Sequence, residues 1–104
     1  MSSRSAEAVC AHLDTVDPEL TPAANGCVEC LQTGGHWLHL RLCLKCGHVG
    51  CCDSSPNRHA TKHAHATGDP LVRSYEPGED WWYCYPDDVV FEIADDPFRG
   101  LHHR

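Results

Sequence analysis

Cysteine and histidine recur in this chain at spacings that suit metal ions. Cys27 and Cys30 bracket two residues, Cys43 and Cys46 do the same, Cys51 and Cys52 are adjacent, and Cys10 and Cys84 stand apart. Zinc takes four ligands in a tetrahedron, commonly thiolates and imidazoles, and a Cys-x-x-Cys turn lets two thiolates reach one ion. His59 and His63 lie four residues apart in a helical stretch, hence on one face. The first group these residues make is Cys27, Cys30, one of Cys51 and Cys52, and His59. The second is Cys43, Cys46 and His63, with a fourth ligand drawn from Asp69, His65, His48 or water. A third joins the Cys-x-His pair of Cys10 and His12 to the Cys-x-x-Asp pair of Cys84 and Asp87. Two or three zinc ions are therefore expected.

The same residues have other readings. Eight cysteines suffice for four disulfides in an exported protein, and Cys-x-x-Cys is also a redox turn. Residues 1–14 contain no apolar run of the kind that leads export, so a reducing, cytoplasmic setting is expected. Adjacent cysteines do not match the redox turn, and the histidines share the pattern. Metal is the better reading. A catalytic zinc needs an open coordination position and a group that handles protons. Neither His-Glu-x-x-His nor a deaminase-type His-x-Glu with downstream cysteines occurs. The expectation is a protein that is not an enzyme, with a zinc-dependent hydrolase or a redox protein as the weaker alternatives. Outside the ligand sets, His36 and His39 flank Trp37 and are expected at the surface. His65, two positions past His63, points away from it on a regular helix.

With 104 residues the chain makes one domain, and its small core calls for staples of disulfide or metal. Eight Lys plus Arg against fifteen Asp plus Glu leave a formal charge of -7, with the cations scattered. Phosphate recognition needs a gathered basic surface, so nucleic acid is not expected as a partner. No stretch approaches the roughly 20 apolar residues that span a bilayer.

Stepping along the chain, residues 1–9 form a loose start, 10–93 the domain and 94–104 a tail too short and polar to add a core element. Trp37 to Leu42 alternate, with Leu38, Leu40 and Leu42 on one face, and read as a half-buried strand. Ser55 is placed to cap a helix and Pro56 to open it, so the main helix is expected over about 56–66. Trp81 to Tyr85 and Val89 to Ile93 are strand-like, and alternation sends only one of Trp81 and Trp82 inward. The class is α+β: a small zinc-stabilised domain with an antiparallel sheet and one main helix.

These residues, in this order, resemble the ubiquitin-protease-type (UBP) zinc finger family. The resemblance runs through Cys-x-His at 10–12, CVEC at 27–30, HWLHLRLCLKCGHVGCC at 36–52, NRHATKH at 57–63 and WYCYPD at 82–87. It implies a twisted sheet held against a helix by one to three zinc ions. It groups Cys27 and Cys30 with Cys51 and His59, Cys43 and Cys46 with His63 and Asp69, and Cys10 and His12 with Cys84 and Asp87. It also implies a pocket for the carboxyl terminus of ubiquitin, with Trp37, Tyr83, Tyr85 and Asp88 in its walls. The family's Cys-Gly-Arg, whose arginine grips that tail, is here Cys51-Cys52-Asp53. An acidic group where a cation is expected weakens binding of a carboxylate. The partner expected is thus a peptide or protein C-terminus, with ubiquitin's own tail a poor fit; a structural or regulatory partner protein with no tail pocket is the alternative.

Overall fold

Two leucines with an arginine between them organise the sheet. The computed structural model describes residues 12–103. Leu40 and Leu42 are fully buried and flank Arg41 in β1 (Leu40–Cys43), as period-two geometry demands of a strand with one face in a core. β1 pairs antiparallel with β2 (Val49–Cys51) and with β3 (Leu71–Ser74). β3 pairs in turn with β4 (Trp82–Cys84), and β4 with β5 (Val89–Phe91), so the order is β2-β1-β3-β4-β5 and every pairing is antiparallel. Two helices, α1 (Val28–Thr33) and α2 (His59–Thr67), and a 3₁₀ turn at Leu13–Thr15 complete the described elements. The domain is α+β.

Register gives the sheet two unlike faces. Leu40 opposes Cys51, Leu42 opposes Val49 and Arg73, and Trp82 opposes Arg73 and Phe91, so these side chains share one face. This core face is covered by Leu20 and Leu101, with Val28 and Trp37 at one end and Leu13, Val16 and Phe98 at the other. The opposite face carries Arg41, Gly50, Val72, Tyr83 and Val90. There α2 crosses β2 so closely that a Cβ on Gly50 would lie 2.6 Å from the Ala60 nitrogen. Only glycine admits that approach. The helix covers the β2–β1 side of this face and leaves the β3–β5 side open.

Several elements differ from the sequence expectation, each for a local reason. The strand begins at Leu40 rather than Trp37, because β2 ends at Cys51, which already pairs with Leu40. Leu38 instead donates its N–H to the Ser55 hydroxyl (2.8 Å) and is 60% exposed. Ser55 is thereby engaged and does not cap the helix. The helix starts at His59, whose N–H points to the Cys51 sulfur at 3.2 Å, so a thiol sits where a Ser or Asp side chain usually caps. The Cys27–Cys30 turn is the first turn of α1. The C-terminal segment does supply core: Phe98 is 5% exposed beside Trp82, and the Asp96 carboxylate accepts the Trp82 indole N–H at 2.9 Å.

Candidate metal centres and an aromatic groove

The first two metal clusters are each built from a knuckle, a strand end and a helix. In the first, Cys27 and Cys30 come from the first turn of α1, Cys51 from the end of β2 and His59 from the start of α2. His59 Nδ1 lies 3.2, 3.4 and 3.6 Å from the sulfurs of Cys27, Cys30 and Cys51. Zinc–sulfur and zinc–nitrogen bonds of about 2.3 and 2.0 Å at tetrahedral angles put S and N about 3.5 Å apart, so the spacing fits one ion. All three cysteines are buried. Burial, with smaller contributions from the neighbouring Cys30 and Cys51 sulfurs, pushes the Cys27 thiol up to about 12. A zinc ion bound here would displace the thiol protons and supply the positive charge the cluster lacks.

The second cluster gathers Cys43, Cys46, His63 and Asp69. Cys46 Sγ is 3.3 Å from His63 Nε2, Cys43 Sγ is 3.4 Å from Asp69 Oδ2, and that oxygen is 3.6 Å from His63 Nε2. Burial chiefly, and then Cys46, pushes the Cys43 thiol up to about 12. His63 and Asp69 are placed by α2 and its end, where Gly68 at φ 78° turns the chain left-handed. A third set comprises His12, Cys84 and Asp87, with Cys84 Sγ 3.3 Å from His12 Nδ1 and 3.6 Å from Asp87 Oδ2. Cys10, expected as its fourth member, lies outside the described residues.

The alternatives fall elsewhere. Cys52 is outside the first cluster, its sulfur 3.5 Å from the Ser55 hydroxyl. Burial raises this thiol, but hydrogen bonding from Ser55 and the nearby backbone outweighs it and brings the group down to about 7. Adjacent residues on a strand end face opposite ways, so only Cys51 turns toward His59. His65 is not in the second cluster either and meets Tyr85 edge-on at 6.4 Å. His48 is near the second cluster without joining it: its ring stacks on His63 at 3.9 Å, and its Nε2 is 2.8 and 2.9 Å from the two Glu29 oxygens. Burial raises the Glu29 carboxyl, but hydrogen bonding from His48 and from its own backbone, with the nearby His48 and His59 rings, together bring it below its ordinary value.

On the open part of the helix face lies a groove of about 270 Å³ lined by Arg41, Asp53, Thr61, Trp81, Tyr83 and Tyr85, with Val72, Val90 and Cys52. The Arg41 guanidinium sits 4.5 Å above the Trp81 ring and, among the described residues, has no carboxylate partner. Asp53 is held by the Thr61 hydroxyl at 2.6 Å, and that hydroxyl is 3.1 Å from the Tyr85 hydroxyl. Tyr83 and Tyr85 meet edge-on at 4.9 Å. The Tyr83 hydroxyl donates to Asp88 (2.6 Å), which with burial pushes the phenol up to about 12; burial also raises Tyr85.

Of the four residues expected in a pocket, the structure brings Tyr83 and Tyr85 together. Asp88 reaches the groove only through Tyr83. Trp37 does not line it: its ring packs against Gly26 and the first core cluster, on the other side of the sheet. Trp81 is the tryptophan that lines the groove, and Trp82, 2% exposed, is the one sent inward. The resemblance puts Asp53 at the pocket, while sequence reasoning could not place Arg41 there and missed Thr61 and Trp81 as groove residues. Alternation around Leu40 and Leu42 was the one signal that set Arg41 on the face opposite the core.

Residues 27–95 match the family described as the Zn-finger in ubiquitin-hydrolases and other protein. The chain also matches the solution NMR structure of a Rhodopseudomonas palustris protein with 49% identity and a TM-score of 0.77, over 91% of this chain and 94% of that one. No curated protein matches the chain.

Proposed function

Because this chain belongs to the zinc-finger family found in ubiquitin hydrolases and other proteins, and holds two Cys/His clusters fit for zinc, we propose that it is an interaction module whose groove receives a peptide or protein C-terminus. Zinc builds the domain; the groove does the binding. The observation that carries the reading is Arg41, a cation lying over Trp81 in an open groove with no carboxylate partner among the described residues. Guanidinium matches a carboxylate with two parallel N–H donors. Trp81, Tyr83 and Tyr85 offer faces and edges to a slim extended backbone.

Asp53 shapes the choice of ligand. It shares the groove with Arg41. A terminal carboxylate must therefore settle on the Arg41 side, while Asp53 accepts N–H groups or a basic side chain further back. Ubiquitin's tail suits this arrangement poorly. The groove is open rather than filled by protein side chains, which favours a tail reader over a partner protein without a pocket. Both zinc sites draw four protein ligands each, so the reading is a binder and not an enzyme. A third ion at His12, Cys84 and Asp87 belongs to the same reading, as does residence in the reducing cytoplasm. Among the described residues no helix is long and apolar enough to cross a membrane.

The test is titration of short peptides that differ only at their ends, followed by fluorescence. A free carboxyl terminus is expected to bind and its amide to bind about tenfold more weakly, as one charge-assisted hydrogen bond at a partly open site is worth about 1.5 kcal/mol. Arg41→Ala should abolish that preference. Equal binding of acid and amide defeats the proposal.

A further inference from the structure

Glu29 belongs to both zinc sites without ligating either. It stands between Cys27 and Cys30 in the first turn of α1, so the first site fixes its backbone. Its side chain, with Oε1 3.9 Å from the Cys27 sulfur, also meets His48, whose Nε2 is 2.9 and 2.8 Å from the two carboxylate oxygens. His48 precedes β2, and its ring lies against that of His63, 3.9 Å between centroids and 5° from parallel. His63 then points Nε2 at the second cluster, 3.3 Å from the Cys46 sulfur.

Zinc-bound histidines are usually oriented by a hydrogen bond to the ring nitrogen that does not bind metal. Among the described residues His63 Nδ1 has no such partner, and the ring is held by its face instead. We propose that Glu29 and His48 are positioning residues that couple the two zinc sites: Glu29 anchors His48, and His48 sets the plane of the His63 imidazole for the second ion. The direction of coupling follows from the connectivity. An ion at Cys27, Cys30, Cys51 and His59 orders the α1 turn, hence Glu29, hence His48, and so the second site is preset when the first is filled. The Glu29 charge also lies beyond His48 from a ring that gains positive character when it binds zinc. Reciprocity requires that filling the second site tighten the first. This rests on the zinc sites alone and is independent of what the groove binds.

In a Cys84→Ser background, which removes the third set, cobalt separates the two sites, because the first has three thiolates and the second has two, and thiolate charge-transfer bands scale with that number. Competition with a chelator, read at both sets of bands, gives each site's affinity. Glu29→Ala and His48→Ala should each weaken the second site about tenfold to a hundredfold, the range seen when outer partners of a ligand are lost, and leave the first far less affected. Glu29→Gln, which keeps an acceptor for His48, should recover part of the loss. His48→Phe keeps a ring face but not the tie to Glu29, and should behave as Glu29→Ala does. Combining Glu29→Ala with His48→Ala should add nothing to His48→Ala alone. If the alanine variants do not fold, Glu29→Gln and His48→Phe carry the same comparison. A second site indifferent to Glu29, or a first site weakened as much while the second is still empty, overturns the proposal.

Discussion

Replacing Arg73 by methionine isolates what holds the C-terminal segment to the sheet. The guanidinium is wholly buried and donates to the carbonyl oxygens of Ser74 (2.6 Å), Phe98 (2.6 Å) and Glu79 (2.7 Å) and to Asp80 Oδ1 (3.1 Å). It also lies 3.6 Å from Asp96 Oδ2, whose side chain is itself fully buried. Methionine fills much of the volume but leaves Asp96 without its counter-ion. Losing one partner of a buried pair costs about 3–5 kcal/mol. Asp96 keeps two N–H donors, from Trp82 and Phe98, which places the expectation near the lower end, about 3 kcal/mol. A domain of this size has about 5–15 kcal/mol in total, so the loss is a large fraction of it. Urea unfolding of the zinc-loaded protein, followed by tryptophan fluorescence, should show a midpoint lower by roughly 2 M with an unchanged slope. Removing both charges, as Arg73→Met with Asp96→Asn, which keeps a side-chain acceptor beside the Trp82 and Phe98 N–H groups, should be less harmful than Arg73→Met alone, because no unpaired charge then remains. A single variant within about 1 kcal/mol of the parent, or a double variant that loses the sum of the two, would refute the reasoning.

Metal analysis and alkaline titration give two more checks. Cys51→Ser should lower bound zinc by one ion, Cys52→Ser should leave it unchanged, and Cys84→Ser should remove the third ion if a third is held; a loss with Cys52→Ser contradicts the ligand set. The Tyr83 phenol should ionise near 12, since Asp88 accepts its proton and disfavours phenolate, and Asp88→Asn should return it toward its ordinary value near 10. The sign follows from that raised value: the stability this hydrogen bond contributes is full below pH 10 and fades as pH climbs through about 12. Ultraviolet difference spectra of phenolate measure it, and identical curves for parent and variant contradict the assignment.

Ligand chemistry was written in the spacing. Cys27 with Cys30, Cys43 with Cys46, and His59 with His63 are pairs close in sequence, and local geometry alone lets each pair act together. The alternation of Leu40 and Leu42 and the inward turn of just one of Trp81 and Trp82 were legible for the same reason. Boundaries were less so. Ser55 has the makings of a helix cap, but its hydroxyl goes to Leu38, seventeen positions away in sequence, and the Cys51 sulfur takes the capping place.

What residue types and short spacings determined is therefore that this chain binds zinc, and through which knuckles. Spacing left Cys51 and Cys52 open and the resemblance pointed to Cys51, which the structure places at His59; tertiary structure alone decided that Trp81 and not Trp37 borders the groove with Arg41, and that Glu29 reaches His48. These choices depend on which strand lies beside which and on the side of the sheet that α2 covers. A single residue of register exchanges the two faces, and that information is shared among distant segments rather than held in any one of them.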